Sequence, residues 1–317
     1  MRIKIFSFHR VSKEVDFLWQ PMQPNTFENI IQYLLKNYTI VDLEKTILNP
    51  LAVDEQNQKL AAITFDDGYK DILDFAVPYL LNNKIPFSVF VITDSVTNQR
   101  PPWTFVLDYL LTYSDILQNP FGSLLPNSFS KNDWVDKHSR MLFAQKLKPY
   151  LKTTNNNFRK EVIEMCLDTF DDITIPTNLM MSWDDIRSLH NKGVAIGSHS
   201  HTHPLLHNVS CDDEIRNEFL VSKEILLAQL GTNPTMIAYP VGGVDERIKK
   251  SAKDSGYQLG LMVQGEMYNS HVHDHFEIPR IELYEESSLK FKLRINGSIQ
   301  RVKRMYNFIL PSKYSKL

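Results

Sequence analysis

The stretch AAITFDDGYKD, residues 61–71, runs from an unbroken apolar segment into two adjacent carboxylates, Asp66 and Asp67, and then a glycine. A short apolar run closed by a turn residue reads as a buried strand, and Gly68 permits a sharp turn into the helix that follows. In parallel α/β folds, groups at the carboxyl ends of strands line the active site. Successive residues of an extended backbone point to opposite sides. A turn at the strand end can therefore bring both carboxylates to one cavity from different directions, one to bind a metal and the other to handle protons. Taken alone, the pair reads equally well as caps for the next helix.

The same punctuation recurs along the chain. Apolar runs at 3–8, 87–92, 194–197, 235–239, 258–263 and 277–283 read as further strands. Helical patterns separate them: 27–38; 69–81, with Ile72, Phe75, Ala76, Tyr79 and Leu80 on one face; a helix opened by Ser182-x-x-Asp185 and ended by Gly193; and a longer one opened by Ser210-x-x-Asp213, with Ile215, Phe219 and Leu226 inward. Alternating strands and helices predict parallel strands covered by helices, as an open sheet or a barrel. Residues 101–178 break the rhythm, being helix-prone and strand-poor, and read as a helical insertion.

The bulk properties narrow the function class. The chain has 317 residues, 43% hydrophobic and 23% charged, enough for a substantial core. A net charge of −2 does not suit a nucleic-acid binder. The two cysteines, Cys166 and Cys211, form no CxxC and read as buried thiols rather than a disulfide framework. The N-terminal MRIKIFSFHRV is too short and interrupted for a signal peptide, and no apolar run is long enough for a membrane span, so a cytoplasmic protein is expected. From residue 290 onward there are eight Lys/Arg and no Asp/Glu. There Ile295, Ile299, Val302, Tyr306 and Ile309 fall at helical spacing with Arg301, Lys303 and Arg304 between them. This basic amphipathic tail, residues 291–317, suits peripheral contact with an anionic inner membrane face or packing on the protein's own surface.

Two further segments carry chemistry. GSHSHTHPLLH, residues 197–207, holds four of the chain's ten histidines. His199 follows the strand-like 194–197, His203 lies four residues on, and Pro204 disfavours helix at His203. One curved loop can aim both imidazoles at one ion, with His201 and His207 outside its ligand shell. Two His and one carboxylate are a common ligand set for a catalytic Zn²⁺ or a similar metal. MIAYPVGG, residues 236–243, is a strand followed by Pro240 and two glycines, a backbone able to present N–H groups to a developing oxyanion, or a plain turn.

TFDDG, HSHTH and AYPVGG, in this order and each after an apolar run, resemble the polysaccharide deacetylase family, metal-dependent carbohydrate esterases that share the NodB-homology domain. The resemblance covers most of residues 1–290 and implies a distorted (β/α)7-type barrel carrying the 101–178 insertion. It implies hydrolysis of acetyl groups, N-acetyl first, from a carbohydrate or glycan precursor, with a nucleotide-linked, lipid-linked or oligomeric acetylated sugar as partner. Carried over, Asp66 resembles the catalytic base, and Asp67, His199 and His203 the metal triad for Zn²⁺, with Co²⁺ or Ni²⁺ as alternatives. Tyr239, Pro240 and Val241 resemble the substrate-groove motif, in which the Val241 N–H helps hold the oxyanion. Where many members have an Arg bracing the base this chain has Ala238, and after the Pro it has Val241 rather than an aromatic. No histidine follows His275, so the family's C-terminal general acid is missing. The ending of the first strand, FSFHRV, looks like a permuted subgroup, which assigns the acid to His9, with His275 as rival. Arg280 resembles a strand-end Arg of that subgroup, placed to brace Asp66 or to contact substrate. Histidines 271, 273 and 275 read as a polar loop or, less simply, a second metal site. An O-deacetylase on the same scaffold and a catalytically inactive sugar-binding module are the competing expectations.

Overall fold

In the computed structural model, residues 1–317 are described except 51–58, 123, 127, 130–133, 300 and 302–317. The chain opens with β1 (Arg2–Phe8), α1 (Pro24–Asn37), β2 (Thr39–Ile40) and α2 (Leu43–Leu48). Next come β3 (Leu60–Phe65), the short helices α3 (Asp71–Phe75) and α4 (Val77–Asn82), and β4 (Ser88–Val91). A run of helices follows: α5 (Thr93–Asn98), α6 (Trp103–Tyr113), α7 (Lys137–Leu151), α8 (Asn156–Thr169) and α9 (Trp183–Asn191). The remaining elements are β5 (Ala195–Ser198), α10 (Asp212–Leu230), β6 (Met236–Ala238), α11 (Glu246–Asp254), β7 (Leu259–Val263), β8 (Tyr268–Asn269), β9 (Ile278–Glu282) and α12 (Ser288–Ile295).

Seven parallel strands close into a barrel in the order β3-β4-β5-β6-β7-β9-β1, sealed by β1 pairing with β3 in register from Ile3↔Leu60 to Phe8↔Phe65. The distorted (β/α)7 barrel implied by the sequence is therefore the fold. Two short strands fill edges the barrel leaves open. β2 pairs with the start of β3, and β8 runs antiparallel to the start of β1. Both faces of the strands are covered, which explains why β3 (LAAITF) and β4 (SVFV) are buried along their whole length and read as continuous apolar runs. Ile3, Ile5, Ala62, Phe90 and Met236 fill the interior, while Phe6, Phe8, Ile63, Phe65 and Val89 face the surrounding helices.

Several local expectations are corrected. The helix expected over 69–81 is two helices, broken at Ala76 because Pro78 has no N–H to continue the ladder and its ring restricts Val77. Ser182 caps α9 in a full capping box with Asp185, as its spacing implies. Ser210 does not do the same for α10. Cys211 is the N-cap, without a side-chain bond, and Asp212, Asp213 and Glu214 complement the helix dipole instead. Cys166 is buried but Cys211 is exposed. Helix α12 spans position 290, and its Phe291 and Ile295 are buried in the barrel–helix core, so the first apolar residue of the expected tail belongs to the packed body. Val302, Lys303, Arg304, Tyr306 and Ile309 lie outside the described residues. No helix among the described residues is long and apolar enough to cross a membrane.

Helices α6, α7 and α8 pack around a core of their own, built from Leu107, Leu111, Phe143, Leu147 and Val162. They follow β4 and α5, so they stand over the carboxyl ends of the strands. Gly197 marks how tightly the wall is packed. A Cβ there would sit 2.5 Å from two Phe90 ring carbons inside the barrel. Gly197→Ala is expected to cost about 1–3 kcal/mol by overpacking, read as a lower denaturant midpoint at unchanged m-value; an unchanged midpoint would contradict the packing described.

Candidate active site

Three loops at the carboxyl ends of β3, β5 and β6 converge, and each contains a non-glycine residue with left-handed backbone. At the end of β3, the Asp66 N–H donates to Phe8 O, and then Asp67 (φ 69°) and Gly68 (φ 86°) both turn left-handed. That reversal puts both carboxylates on one cavity of about 240 Å³. After β5, the His199 N–H donates to Val91 O, and Ser200 (φ 62°) and His203 (φ 57°) fold the histidine loop back on itself. Hydroxyls and one carboxylate hold that loop. Ser198 Oγ accepts from Ser200 N–H, and Ser200 Oγ accepts from His203 N–H, each at 3.1 Å. Glu218 on α10 accepts from the N–H groups of His201 and Thr202. Non-glycine residues in this conformation mark stored strain, and such strain clusters at functional sites.

The loops bring together Asp67, His199 and His203, whose ligand atoms all lie within 4.8 Å of one another, the one such group found among the described residues. Asp67 Oδ1 is 3.3 Å from His199 Nε2 and 3.6 Å from His203 Nε2. His199 Nδ1 is 2.7 Å from the carbonyl oxygen of Ala238, which can only accept, so Nδ1 carries the proton. In its neutral form His199 then aims the bare lone pair of Nε2 at a carboxylate oxygen, and that oxygen, Asp67 Oδ1, is buried with no hydrogen-bond donor. Two acceptors at this distance repel unless a proton or a metal cation lies between them. The donor set fits a divalent metal, with Ala238 fixing the tautomer from behind.

The electrostatics separate the two histidines: His203 is held neutral, whereas on His199 a proton competes with a metal for Nε2. Burial pushes Asp67 upward, but His199, His9 and His203 drive its carboxyl well below the ordinary range. Burial brings His203 down to about 3, leaving it neutral and able to ligate. For His199, burial acts downward, yet the carboxylates of Asp66 and Asp67 outweigh it and raise its pKa. His201 turns outward to Thr93 Oγ1 at 3.0 Å, and exposed His207 is not part of the cluster.

Asp66 is held from behind. Arg280 on β9, fully buried, donates Nη1 to Oδ1 at 2.6 Å and Nη2 to Oδ2 at 2.7 Å. It also donates to Thr64 Oγ1, whose hydroxyl donates to Phe6 O. Burial pushes the Asp66 carboxyl upward, but Arg280 opposes it and the balance lies below the ordinary value. Of the two expectations for Arg280, bracing Asp66 is what the geometry gives. Arg280 does not line the cavity, so substrate contact is corrected.

His9, just past β1, is on the cavity wall, its Nδ1 3.7 Å from Glu282 and its ring edge-on to Trp19. His275 is exposed and away from the cavity. Its backbone oxygen accepts from Gly260 N–H, and the 271–275 stretch is a turn in which His273 Nδ1 accepts from Asn269 N–H. In the β6 loop, Val241 (φ 59°) sits half-exposed on the wall. Pro240 is buried beneath it and does not reach the cavity, and the hydroxyl of Tyr239 turns away to donate to Phe276 O. Sequence reasoning missed seven wall residues: Trp19, Thr104, Lys148, Lys152, Val263, Glu282 and Tyr284. The lysines arrive on α7 by tertiary packing, for which the sequence offers no local signal.

A seven-stranded barrel with an acid–histidine cluster at the carboxyl ends of its strands is the architecture of a barrel enzyme. The chain belongs to the polysaccharide deacetylase family, whose model matches residues 54–260. It is 32% identical over 74 residues to the peptidoglycan-N-acetylglucosamine deacetylase of Bacillus cereus, a match covering 23% of this chain and about a quarter (26%) of that relative. Its fold resembles that of a Streptococcus pyogenes deacetylase solved in complex with acetate (TM-score 0.59, 16% identity, 93% of this chain and 98% of that one). It also resembles a de-N-acetylase from Aggregatibacter actinomycetemcomitans (TM-score 0.57, 14% identity, 93% and 100%).

Removing Arg280 leaves a buried carboxylate without its partner. Arg280→Met is expected to lose about 3–5 kcal/mol of stability at pH 7. In the parent, the depressed pKa of Asp66 contributes stability above the unfolded carboxylate value that fades as pH falls through the folded value. In the variant, burial raises that pKa, so the penalty is relieved on protonation. The gap between the denaturant midpoints is therefore expected to shrink from pH 7 toward pH 4; a gap that widens would contradict the pairing.

Proposed function

We propose that this chain is a metal-dependent deacetylase that removes an N-acetyl group from an amino sugar in a carbohydrate or glycan precursor, nucleotide-linked, lipid-linked or oligomeric. The observation that carries the reading is the convergence of Nε2 of His199, its ring oriented by Ala238, and Nε2 of His203 on the donorless oxygen of Asp67. Asp67, His199 and His203 would hold the ion, and a set of two imidazoles and one carboxylate suits Zn²⁺ first, with Co²⁺ and Ni²⁺ also compatible. When bound, such an ion polarises an acetyl carbonyl and acidifies water.

The chain's own residues supply the rest. Asp66 accepts the proton of the attacking water, its two oxygens kept ionised and oriented by Arg280. The left-handed turn at Val241 offers a backbone N–H to the charge that develops on the acetyl oxygen. His9, held against Trp19 and Glu282, donates a proton to the departing amine. Acetate and a free amine leave. An amine leaves only when protonated, so an acid on the cavity wall favours the N-acetyl reading over the O-acetyl one. A module that only binds sugar has no need of a second buried carboxylate with its own arginine.

Acetate release from an acetylated amino-sugar oligomer tests the scheme. Asp66→Asn is expected to lower kcat by about 10²–10⁴. His9→Ala is expected to lower kcat on the amide by about 10²-fold yet spare an activated aryl acetate, whose leaving group needs no proton. If Asp66→Asn released acetate as fast as the parent, Asp66 would not be the base; equal losses on amide and aryl ester would remove His9 from the acid role.

A further inference from the structure

In the proposed reaction every assigned group meets the acetyl group or the departing nitrogen, and none meets the sugar ring. Around His9 the wall turns aromatic. Trp19 and Tyr284 both flank it, in the catalytic cavity and in the small crevice beside it. Tyr284 is committed elsewhere: its hydroxyl donates to Glu282, and the guanidinium of Arg294 lies 4.7 Å from its ring centre. Trp19 is half-buried, and its indole N–H makes no hydrogen bond among the described residues. The other three tryptophans differ. Trp183 donates to Thr97 Oγ1, and the indole N–H groups of Trp103 and Trp134 are buried.

Trp19 is built into place. Asp16 Oδ1 accepts from the N–H groups of Leu18 and Trp19 at 3.0 and 3.1 Å, and the Asp16 N–H donates to Gln20 Oε1. Leu18 packs against the core of helices α6, α7 and α8. The ring of buried Tyr69 lies 5.8 Å from that of Trp19, and Phe105 on α6 lies 6.3 Å from Tyr69. The helical insertion therefore backs this wall through its first helix. The ring centres of His9 and Trp19 are 5.5 Å apart, with their planes at 80°. A sugar carbon bonded to the nitrogen that His9 protonates is one bond away from that contact, so its six-membered ring falls within reach of the indole.

We propose that Trp19 is a specificity-determining residue of the cavity, and that the pyranose ring bearing the acetylated nitrogen packs against its indole. A pyranose presents C–H groups on its faces and oxygens round its edge, so it can meet both the apolar body and the free N–H of an indole. An aromatic surface with few polar groups is the usual lining of a small-molecule site. An open-chain acetamide has no ring face and gains nothing from the indole. The substrate class is therefore a ring-closed amino sugar, not an acetylated linear amine. The inference rests on the deacetylase reading for the role of His9, but contact with the ring is tested without turnover.

The full chain is labelled with ¹⁵N in its tryptophan indoles, and the signal of Trp19 is identified by its loss in Trp19→Phe. Triacetylchitotriose, an acetylated amino-sugar oligomer, is expected to move that signal saturably. N-acetylethanolamine, which carries the same acetamide on an open chain, is expected to leave it in place. Trp19→Ala is expected to raise KM for acetate release from the oligomer about tenfold, the scale of one aromatic contact. Trp19→Phe, which keeps an aromatic ring, is expected to raise it less. A Trp19 signal unmoved by the oligomer up to its solubility limit would overturn the assignment, as would an equal shift with the open-chain acetamide. A loss in Trp19→Ala confined to kcat, with KM unchanged, would make the residue a support for His9 alone and overturn it too. A saturable, ring-specific shift without any acetate release would uphold the contact and count against the deacetylase reading.

Discussion

A carboxylate buried against two imidazoles without a donor of its own is the constraint that organises this protein. Left uncompensated, such a charge costs several kcal/mol. Asp67 could escape that cost by protonation, yet its surroundings push its pKa the other way. His199 could rotate, but the carbonyl of Ala238 claims Nδ1 and keeps Nε2 pointed inward. A proton on His199 or the proposed metal ion would resolve the conflict, and the surrounding loops hold the three side chains in place for it.

That maintenance is visible in the backbone. Asp67, Ser200, His203 and Val241 all adopt left-handed conformations in loops at the same end of the barrel. Each costs about 1–3 kcal/mol in a non-glycine residue. Strands with both faces buried and close-packed contacts such as Gly197 on Phe90 provide the rigidity that holds those loops in place. The Asp66–Arg280 pair spans the barrel interior from β3 to β9 and keeps the second carboxylate ionised beside the first. Two acids separated by one peptide bond thus have different partners: a guanidinium for one, and an arrangement of imidazoles for the other.

How much of this was legible in the sequence follows from how local each signal is. The barrel strands were readable because a parallel sheet covered on both faces writes itself as short apolar runs, and the acid, histidine and YPVGG motifs sat just past three of them. The helix break at Ala76 was readable in principle from Pro78 but was overridden by the apolar periodicity around it. The Ser210 cap failed because Ser, x, x, Asp is a common accident, and three acids at the start of α10 already complement its dipole. The assignment of Arg280 to Asp66 rather than to substrate depended on a pairing 214 residues apart in the chain. Lys148 and Lys152 were invisible for a related reason, since a segment such as KLKPYLK discloses nothing about which cavity its side chains enter until α7 packs over the barrel mouth.

The central claim, that Asp67, His199 and His203 grip a single cation, is tested most directly by anomalous diffraction at the zinc absorption edge on crystals of the metal-supplemented protein. The account predicts one strong peak within bonding reach, about 2.0–2.2 Å, of a carboxylate oxygen of Asp67 and Nε2 of both histidines. A well-ordered site with no peak there, or a peak confined to the turn carrying His271, His273 and His275, would contradict it.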